Sequence, residues 1–246
     1  MNHTQVQQKK KVEKISKKMS EIAISSNQMY EIENIGYTKF GMKKVLMMEN
    51  AGFGVADFII KRFKNKPISK LKIVAICGSG NNGGDAMVTA RHLTSSAGIN
   101  LKVIFLGDPS SIKTEEALTN FEIISKMNKT IELIVGSKVD TKIKKQILNA
   151  DIIIDGIFGT GIKGEIQDPH LSVIKLINKS KSYIIAVDIP SGLNPNNGEI
   201  TSNGIRANTT ITFHRIKLGL LNNRKYTGNL ILKKIGIPIE AEEGIV

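Results

Sequence analysis

Short apolar runs alternating with longer helix-compatible stretches constrain this chain more than any other feature. Leu71–Ile76, Leu101–Leu106, Ile131–Val135, Ile152–Ile154 and Tyr183–Val187 read as strands, and residues near 84–97, 114–127, 138–149 and 169–180 read as the helices between them. Strands this apolar must be covered on both faces, and helices between them supply the cover, so the expected fold is a three-layer α/β domain with a mainly parallel sheet. Thr209–Phe213 and Asn229–Ile235 add strands toward one edge. Upstream, Ser26 or Asn27 reads as the N-cap of a helix running through Glu33. A second helix, from Gly41 to about Lys64, brings Val45, Met48, Ala51, Val55 and Phe58 onto one face. With 246 residues, this is one domain carrying an N-terminal helical extension.

Sheets of this kind bind ligands beyond the carboxyl ends of their strands. Three loops meet that condition, and each carries a carboxylate near glycine. Cys77-Gly-Ser-Gly-Asn-Asn-Gly-Gly-Asp85 follows the first strand, Asp155-Gly-Ile-Phe-Gly-Thr-Gly-Ile-Lys-Gly-Glu165 follows Ile152–Ile154, and Asp188-Ile-Pro-Ser-Gly-Leu-Asn194 follows Tyr183–Val187. In the first loop, glycines permit positive φ and close approach, and a helix beginning near Asp85 would aim its N–H groups at a ligand. The spacing Gly78-x-Gly80-x-x-Gly83 also fits a dinucleotide fingerprint, with Asp108 as a ribose-binding acid, which keeps a nicotinamide-dependent dehydrogenase open as an alternative. A Walker-type phosphate loop is excluded, because no lysine follows the last glycine.

Asp155 and Asp188, at corresponding strand ends, are candidates for acid/base work or cation ligation, against the plainer reading that each caps a turn. Asn82, Asp155 and Ser191 offer an amide oxygen, a carboxylate and a hydroxyl, a hard-oxygen set that suits an alkali or alkaline-earth cation better than zinc. Lys163, among Gly159, Thr160, Gly161, Ile162 and Gly164, reads as a phosphate contact or as part of a plain surface loop. Lys217 reads equally as a phosphate contact or a solvated charge.

The net charge of +13 is concentrated partly in residues 1–20, where six lysines face one acid. That run lacks aromatic residues for base stacking, so a solvated helix face is expected and nucleic-acid binding is not. No apolar run reaches membrane-spanning length, and the amino terminus lacks a secretory apolar core. The lone Cys77 fits a small apolar filler in a reducing cytoplasm.

Taken together, Cys77–Asp85, Asp155-Gly-Ile-Phe-Gly-Thr-Gly161, Asp188-Ile-Pro-Ser-Gly192, Thr210–Phe213 with Lys217-Leu-Gly219, and Leu46-Met-Met-Glu-Asn-Ala-Gly52 resemble the NAD(P)H-hydrate epimerase family, the YjeF N-terminal domain. The resemblance spans about residues 24–236, so residues 1–23 stand as a basic helical lead and 24–246 as the epimerase-like domain. It implies a Rossmann-like fold, a homodimer, and an isomerase that interconverts the R and S forms of the C6 hydrate of NADH or NADPH, a repair of damaged nicotinamide nucleotides. It places Asn81, Asn82, Gly83, Gly84, Asp85, Gly159, Thr160, Gly161, Ile162, Lys163, Gly164, Glu165 and Asp188 at the substrate, with Asp188 catalytic, and it places Asn82, Asp155 and Ser191 around a potassium ion. A hydrate dehydratase acting on the same pool would be a separate protein. Ala86 and Asn194 depart from the family's usual Gly and Asp. A non-catalytic binding or scaffold module of the same fold is the remaining alternative, and the retained carboxylates and asparagines argue against it.

Overall fold

The computed structural model describes residues 23–161, 164–200 and 203–246. Its order of elements is α1 (Ser26–Thr38), α2 (Lys44–Arg62), β1 (Ile73–Cys77), α3 (Asn81–Ala97), β2 (Leu101–Leu106), α4 (Glu115–Lys126), β3 (Ile131–Gly136), α5 (Thr141–Leu148), β4 (Ile152–Gly156), α6 (His170–Lys179), β5 (Tyr183–Val187), β6 (Thr209–Phe213), a single turn α7 (Arg224–Thr227) and β7 (Asn229–Lys233). The seven strands form one sheet in the order β3-β2-β1-β4-β5-β6-β7, and every neighbouring pair is parallel. The chain order reverses between β1 and β4, and such a switch point opens a crevice at the strands' carboxyl ends.

Strand period 2 divides the core into two layers. Ile73, Ala75 and Cys77 of β1 join Val103 and Phe105 of β2 under α1 to α4, with Met29, Ile32, Ala51, Val55, Met87 and Leu93 packed onto them. Val74, Ile76, Ile104 and Ile153 face the other way, onto Ile143 and Ile147 of α5 and Val173, Ile174 and Ile177 of α6. Cys77 closes β1 as a fully buried side chain whose thiol burial pushes up, so it fills space and is no nucleophile. None of the described helices is long and apolar enough to cross a membrane.

Two sequence expectations need correction. The cap of α1 is Ser25, not Ser26 or Asn27, and its capping box closes with the amide of Gln28: Ser25 Oγ accepts from Gln28 N at 3.2 Å, and Gln28 Oε1 accepts from Ser25 N at 2.9 Å. Helix α3 begins at Asn81, four residues before Asp85, so Gly83 and Gly84 lie inside its first turn. Gly78, Gly80, Gly83 and Gly84 are also absent from the positive-φ glycines. Their freedom from a side chain serves close approach instead. A Cβ on Gly83 would stand 2.0 Å from Gly78 O, and one on Gly78 would stand 2.1 Å from Ile157 O. Backbone of α3, β1 and β4 thereby meets at the crevice with nothing between.

Residues 1–22 lie outside the described part of the structure, and with them the expected basic helical lead.

Candidate active site

Asp155 is the first polar residue of β4 and is fully buried, paired in register with Ile76 of β1 and Ala186 of β5. It therefore belongs to the strand rather than to the loop after it. Its Oδ1 accepts from Ser191 Oγ at 2.5 Å and from Ile157 N at 3.3 Å, and its Oδ2 accepts from Ser191 N at 2.9 Å. Burial pushes its carboxyl up to about 6, against the lowering effect of the Ser191 hydrogen bonds. Ser191 Oγ in turn accepts from Phe158 N at 2.9 Å, and Phe158 O accepts from Asn82 Nδ2 at 2.8 Å. Three loops are thus tied into one nest.

The Asn82 amide is oriented by that bond, and its Oδ1 is buried with no hydrogen-bond partner among the described residues. The orphaned amide oxygen, tied through these hydrogen bonds to a buried carboxylate, a hydroxyl and a backbone carbonyl, belongs to a hard-oxygen set compatible with a hard cation. The residues expected around potassium fit that ion. Among the described residues no group of three or more His, Cys, Asp or Glu side chains is placed to hold a metal ion, so the softer N/S donor sets are not built here.

Asp188 lies just past β5 with φ 58, an uncommon backbone state for a non-glycine residue. Its N–H donates to Ile211 O at 2.8 Å. Its Oδ1 accepts from Lys217 Nζ at 2.6 Å, Thr212 Oγ1 at 2.9 Å and Phe213 N at 3.2 Å. Lys217, 2% exposed, is the charged partner that residue spacing did not reveal, since a lysine on a surface-like turn reads as solvated. Asp85, on α3, and Glu33, on α1, complete the cluster. Burial, then the neighbouring Asp188 and Glu33 carboxylates, push the Asp85 carboxyl well above its usual range. Burial likewise raises Glu33, with Lys217 offsetting part of the effect. Glu33 was not anticipated from sequence. Within its helix it is one of several acids, and only the packing of α1 brings it here.

The remaining expected residues fall around these two nests. Asn81 is exposed, and its Oδ1 accepts from Thr114 Oγ1 at 2.6 Å. Gly159 faces Asn82, and a Cβ there would meet the Asn82 Cβ at 3.2 Å. Thr160, Gly161, Gly164 and Glu165 form an exposed arm, while Ile162 and Lys163 lie outside the described residues. Ala86 points its methyl at Gly156, where a Cβ would stand 2.5 Å away, so the residue that departs from the family pattern is accommodated by the missing side chain opposite. Asn194 Oδ1 accepts from Asn196 N at 2.9 Å and Asn197 N at 3.3 Å, a turn-forming role that needs an oxygen and no charge. Asp108 is exposed and spends its Oδ1 on Ser110 N at 2.9 Å, capping a short turn, which withdraws the support it gave a ribose-binding reading.

A separate cavity of about 670 Å³ opens at the amino ends of β4 and β5, lined by Arg62, Lys66, Lys181 and Asp151. The titratable cluster and the unpartnered Asn82 oxygen are both at the opposite, carboxyl end, which makes that end the candidate site.

The family described as YjeF-related protein N-terminus matches residues 44–219. A protein of Cenarchaeum symbiosum named NAD(P)H-hydrate epimerase is 44% identical over 223 residues, spanning 91% of this chain and 99% of its own length. Its namesake in Nitrosopumilus maritimus is 44% identical over 225 residues with the same coverage. A bifunctional NAD(P)H-hydrate repair enzyme of Archaeoglobus fulgidus is 40% identical over 215 residues, but the match spans only 42% of that longer protein. The crystal structure of a yeast protein shares the fold, with a TM-score of 0.69 at 24% identity over 80% of this chain and 82% of its own. The match along most of its length, to a family profile and to full-length relatives alike, makes this chain a member of the YjeF-related N-terminal domain family.

Proposed function

We propose that the protein is an isomerase that interconverts the R and S hydrates of NADH and NADPH. The relatives aligned over nearly their full length are named for that epimerisation, and the two carboxylate nests give it a physical basis. The observation that carries the mechanism is Asp188, a carboxylate fixed at the carboxyl end of β5 beside the N-terminus of α3.

The hydrated ring bears its hydroxyl on the carbon next to the ring nitrogen. A proton delivered to that hydroxyl lets the C–O bond break with loss of water, and the nitrogen lone pair stabilises the planar cation left behind. Water then adds to the opposite face and gives up a proton, so the two transfers cancel and only the configuration changes. Asp188 is the residue assigned to this exchange, as proton carrier and as the negative charge facing the cation. The N–H groups at the start of α3, which no side chain caps, suit the anionic part of the nucleotide. Asn82, Gly83, Gly84 and Asp85 line that end of the helix, with Asn81 at its rim, and the arm Gly159–Glu165, including Ile162 and Lys163, is assigned to the same substrate. Lys217 is removed from the candidate phosphate contacts, because all its N–H groups are used internally.

Potassium held by Asn82, Asp155 and Ser191 would supply a fixed positive charge that joins the three loops. A homodimer, a cytoplasmic setting and a separate dehydratase drawing on the same substrate pool complete the proposal. The decisive experiment incubates the protein with one stereochemically pure hydrate and separates the epimers by chromatography. Approach to a mixture of both supports the reading, and persistence of the single epimer refutes it.

A further inference from the structure

Lys217 is withdrawn from water and its ammonium is saturated. Its three hydrogens meet three acceptors: Asp188 Oδ1 at 2.6 Å, Phe213 O at 3.0 Å and Thr212 Oγ1 at 3.3 Å. Thr212 Oγ1 closes the triangle by donating to Asp188 Oδ1 at 2.9 Å. The backbone that carries Lys217 is held as firmly. Ile24 pairs with it as an isolated parallel bridge, Ile24 N donating to Ile216 O at 2.8 Å and Leu218 N donating to Ile24 O at 2.9 Å. With three donors on Oδ1, Asp188 keeps Oδ2 as the oxygen with no partner among the described residues.

Stability alone gives a weak reason for this arrangement. Burying an ion pair costs desolvation that apolar residues of similar volume would avoid. The charges around the pair supply another reason. Asp85 from α3, Glu33 from α1 and Glu116 from α4 all bear electrostatically on one another or on Asp188, and Lys44 from α2 is the other cation acting on Glu33. Without Lys217, a negative Asp188 would face a largely acidic neighbourhood with no countercharge, its Oδ1 held only by the neutral donors Thr212 Oγ1 and Phe213 N.

We propose that Lys217 is a positioning residue for the epimerisation: its ion pair fixes the Asp188 carboxylate in one orientation, supplies its countercharge, and leaves Oδ2 to meet the reacting hydroxyl and the cation that follows. The proposal rests on the assignment of Asp188 to the reaction and adds the residue that makes Asp188 competent. Lys217 acts through Asp188 and touches no substrate atom.

The test is a double-mutant cycle on the full chain, using Lys217→Met, Asp188→Asn and the pair, with kcat and KM measured on pure hydrate. Lys217→Met is expected to lower kcat by about 30-fold or more with KM within about threefold, and to cost less than about twofold on the Asp188→Asn background. Methylammonium chloride should restore Lys217→Ala saturably, where sodium chloride of the same ionic strength does not. A rise in KM with kcat kept would make Lys217 a substrate contact, and equal multiplicative losses on both backgrounds would make it merely structural. Either result overturns the proposal. Should Lys217→Met fail to fold, Lys217→Gln, uncharged but still a donor, carries the same cycle. The wild-type chain assayed alongside keeps the two readings apart: no epimerisation by wild type removes the assigned reaction, whereas an active wild type with independent losses removes only the role of Lys217.

Discussion

Asp155 and Asp188 stand at the ends of adjacent strands, Asp155 fully buried and Asp188 partly so, and they are compensated in different ways. Around Asp155 the described residues supply hydrogen bonds from Ser191 and Ile157 and no cation, and they leave Asn82 Oδ1 buried without a partner. Around Asp188 the protein supplies its own cation, Lys217, and every donor of that cation is taken. The first nest keeps an unsatisfied oxygen, while the second carries its own countercharge. A buried carboxylate must be neutralised somehow, and the choice between a borrowed and a built-in charge separates a ligand socket from a working group.

The largest effect expected of this contrast falls on the second nest. Asp188→Asn should lose roughly 10²-fold or more in epimerisation rate while the fold stays intact, because the amide keeps the shape and removes the charge. A variant with near-normal rate and an unchanged circular dichroism spectrum would take Asp188 out of the reaction.

The first nest depends on how closely α3 approaches β1. Gly83→Ala puts a methyl 2.0 Å from Gly78 O, a clash with backbone that no rotamer relieves, and should cost roughly 2–3 kcal/mol of stability while displacing Asn82. Urea unfolding measures it, and a change below about 0.5 kcal/mol would show that the crevice yields.

Next comes the guest itself. In wild type, potassium chloride should raise the melting temperature above its value in sodium chloride of equal strength, since a ligand that binds only the folded state stabilises it by mass action. Asp155→Ala should abolish that difference and weaken hydrate binding by about tenfold. Identical melting curves for wild type in the two salts would leave the nest without its cation.

The smallest effect sharpens the picture of the second nest's surroundings. His214, next to the Phe213 carbonyl that accepts from Lys217, is 1% exposed and has its Nε2 2.8 Å from Glu242 Oε1. Burial lowers its imidazole to about 4 from the ordinary 6.5. A depressed folded value means the neutral ring is favoured by the fold. Its contribution is therefore full above the unfolded value of 6.5 and lost as pH falls through about 4. Replacement by glutamine should flatten the fall in stability across that range by roughly 1 kcal/mol. Glu242, held low chiefly by its hydrogen bond from Arg215, loses its own contribution in the same region, so the difference between variant and wild type is the measure. Parallel curves would show that His214 is not held neutral.

Residue pattern alone located β2, β5 and β6 to the residue, because each run of apolar or β-branched residues is bounded by polar or turn-forming neighbours. It stopped β4 at Ile154, since nothing in a hydropathy pattern announces that Asp155 and Gly156 continue the ladder. It started α3 four residues late, because glycine and asparagine are poor helix formers, and only the packing of α3 on β1 and β4 overrides that preference. Motif resemblance named Asn82, Asp155 and Ser191 together, and the geometry adds that Asn82 Oδ1 is buried without a partner among the described residues. The pairing of Lys217 with Asp188 and the place of Glu33 stayed hidden because they come from contacts across long sequence distances, such as the 29 residues between Lys217 and Asp188.

The bridge between Ile24 and Lys217 has a mechanical consequence. Two hydrogen bonds fasten the entry to α1 onto the turn that carries the ammonium, and Ser26 N adds a third tie, to Asn196 Oδ1 at 2.8 Å. A load applied at the amino-terminal side of Ile24 arrives first at this clasp, ahead of the sheet. The clasp is a few bonds wide, while the sheet behind it is seven strands wide. Tension would therefore reach the turn that carries Lys217 before it reached the sheet.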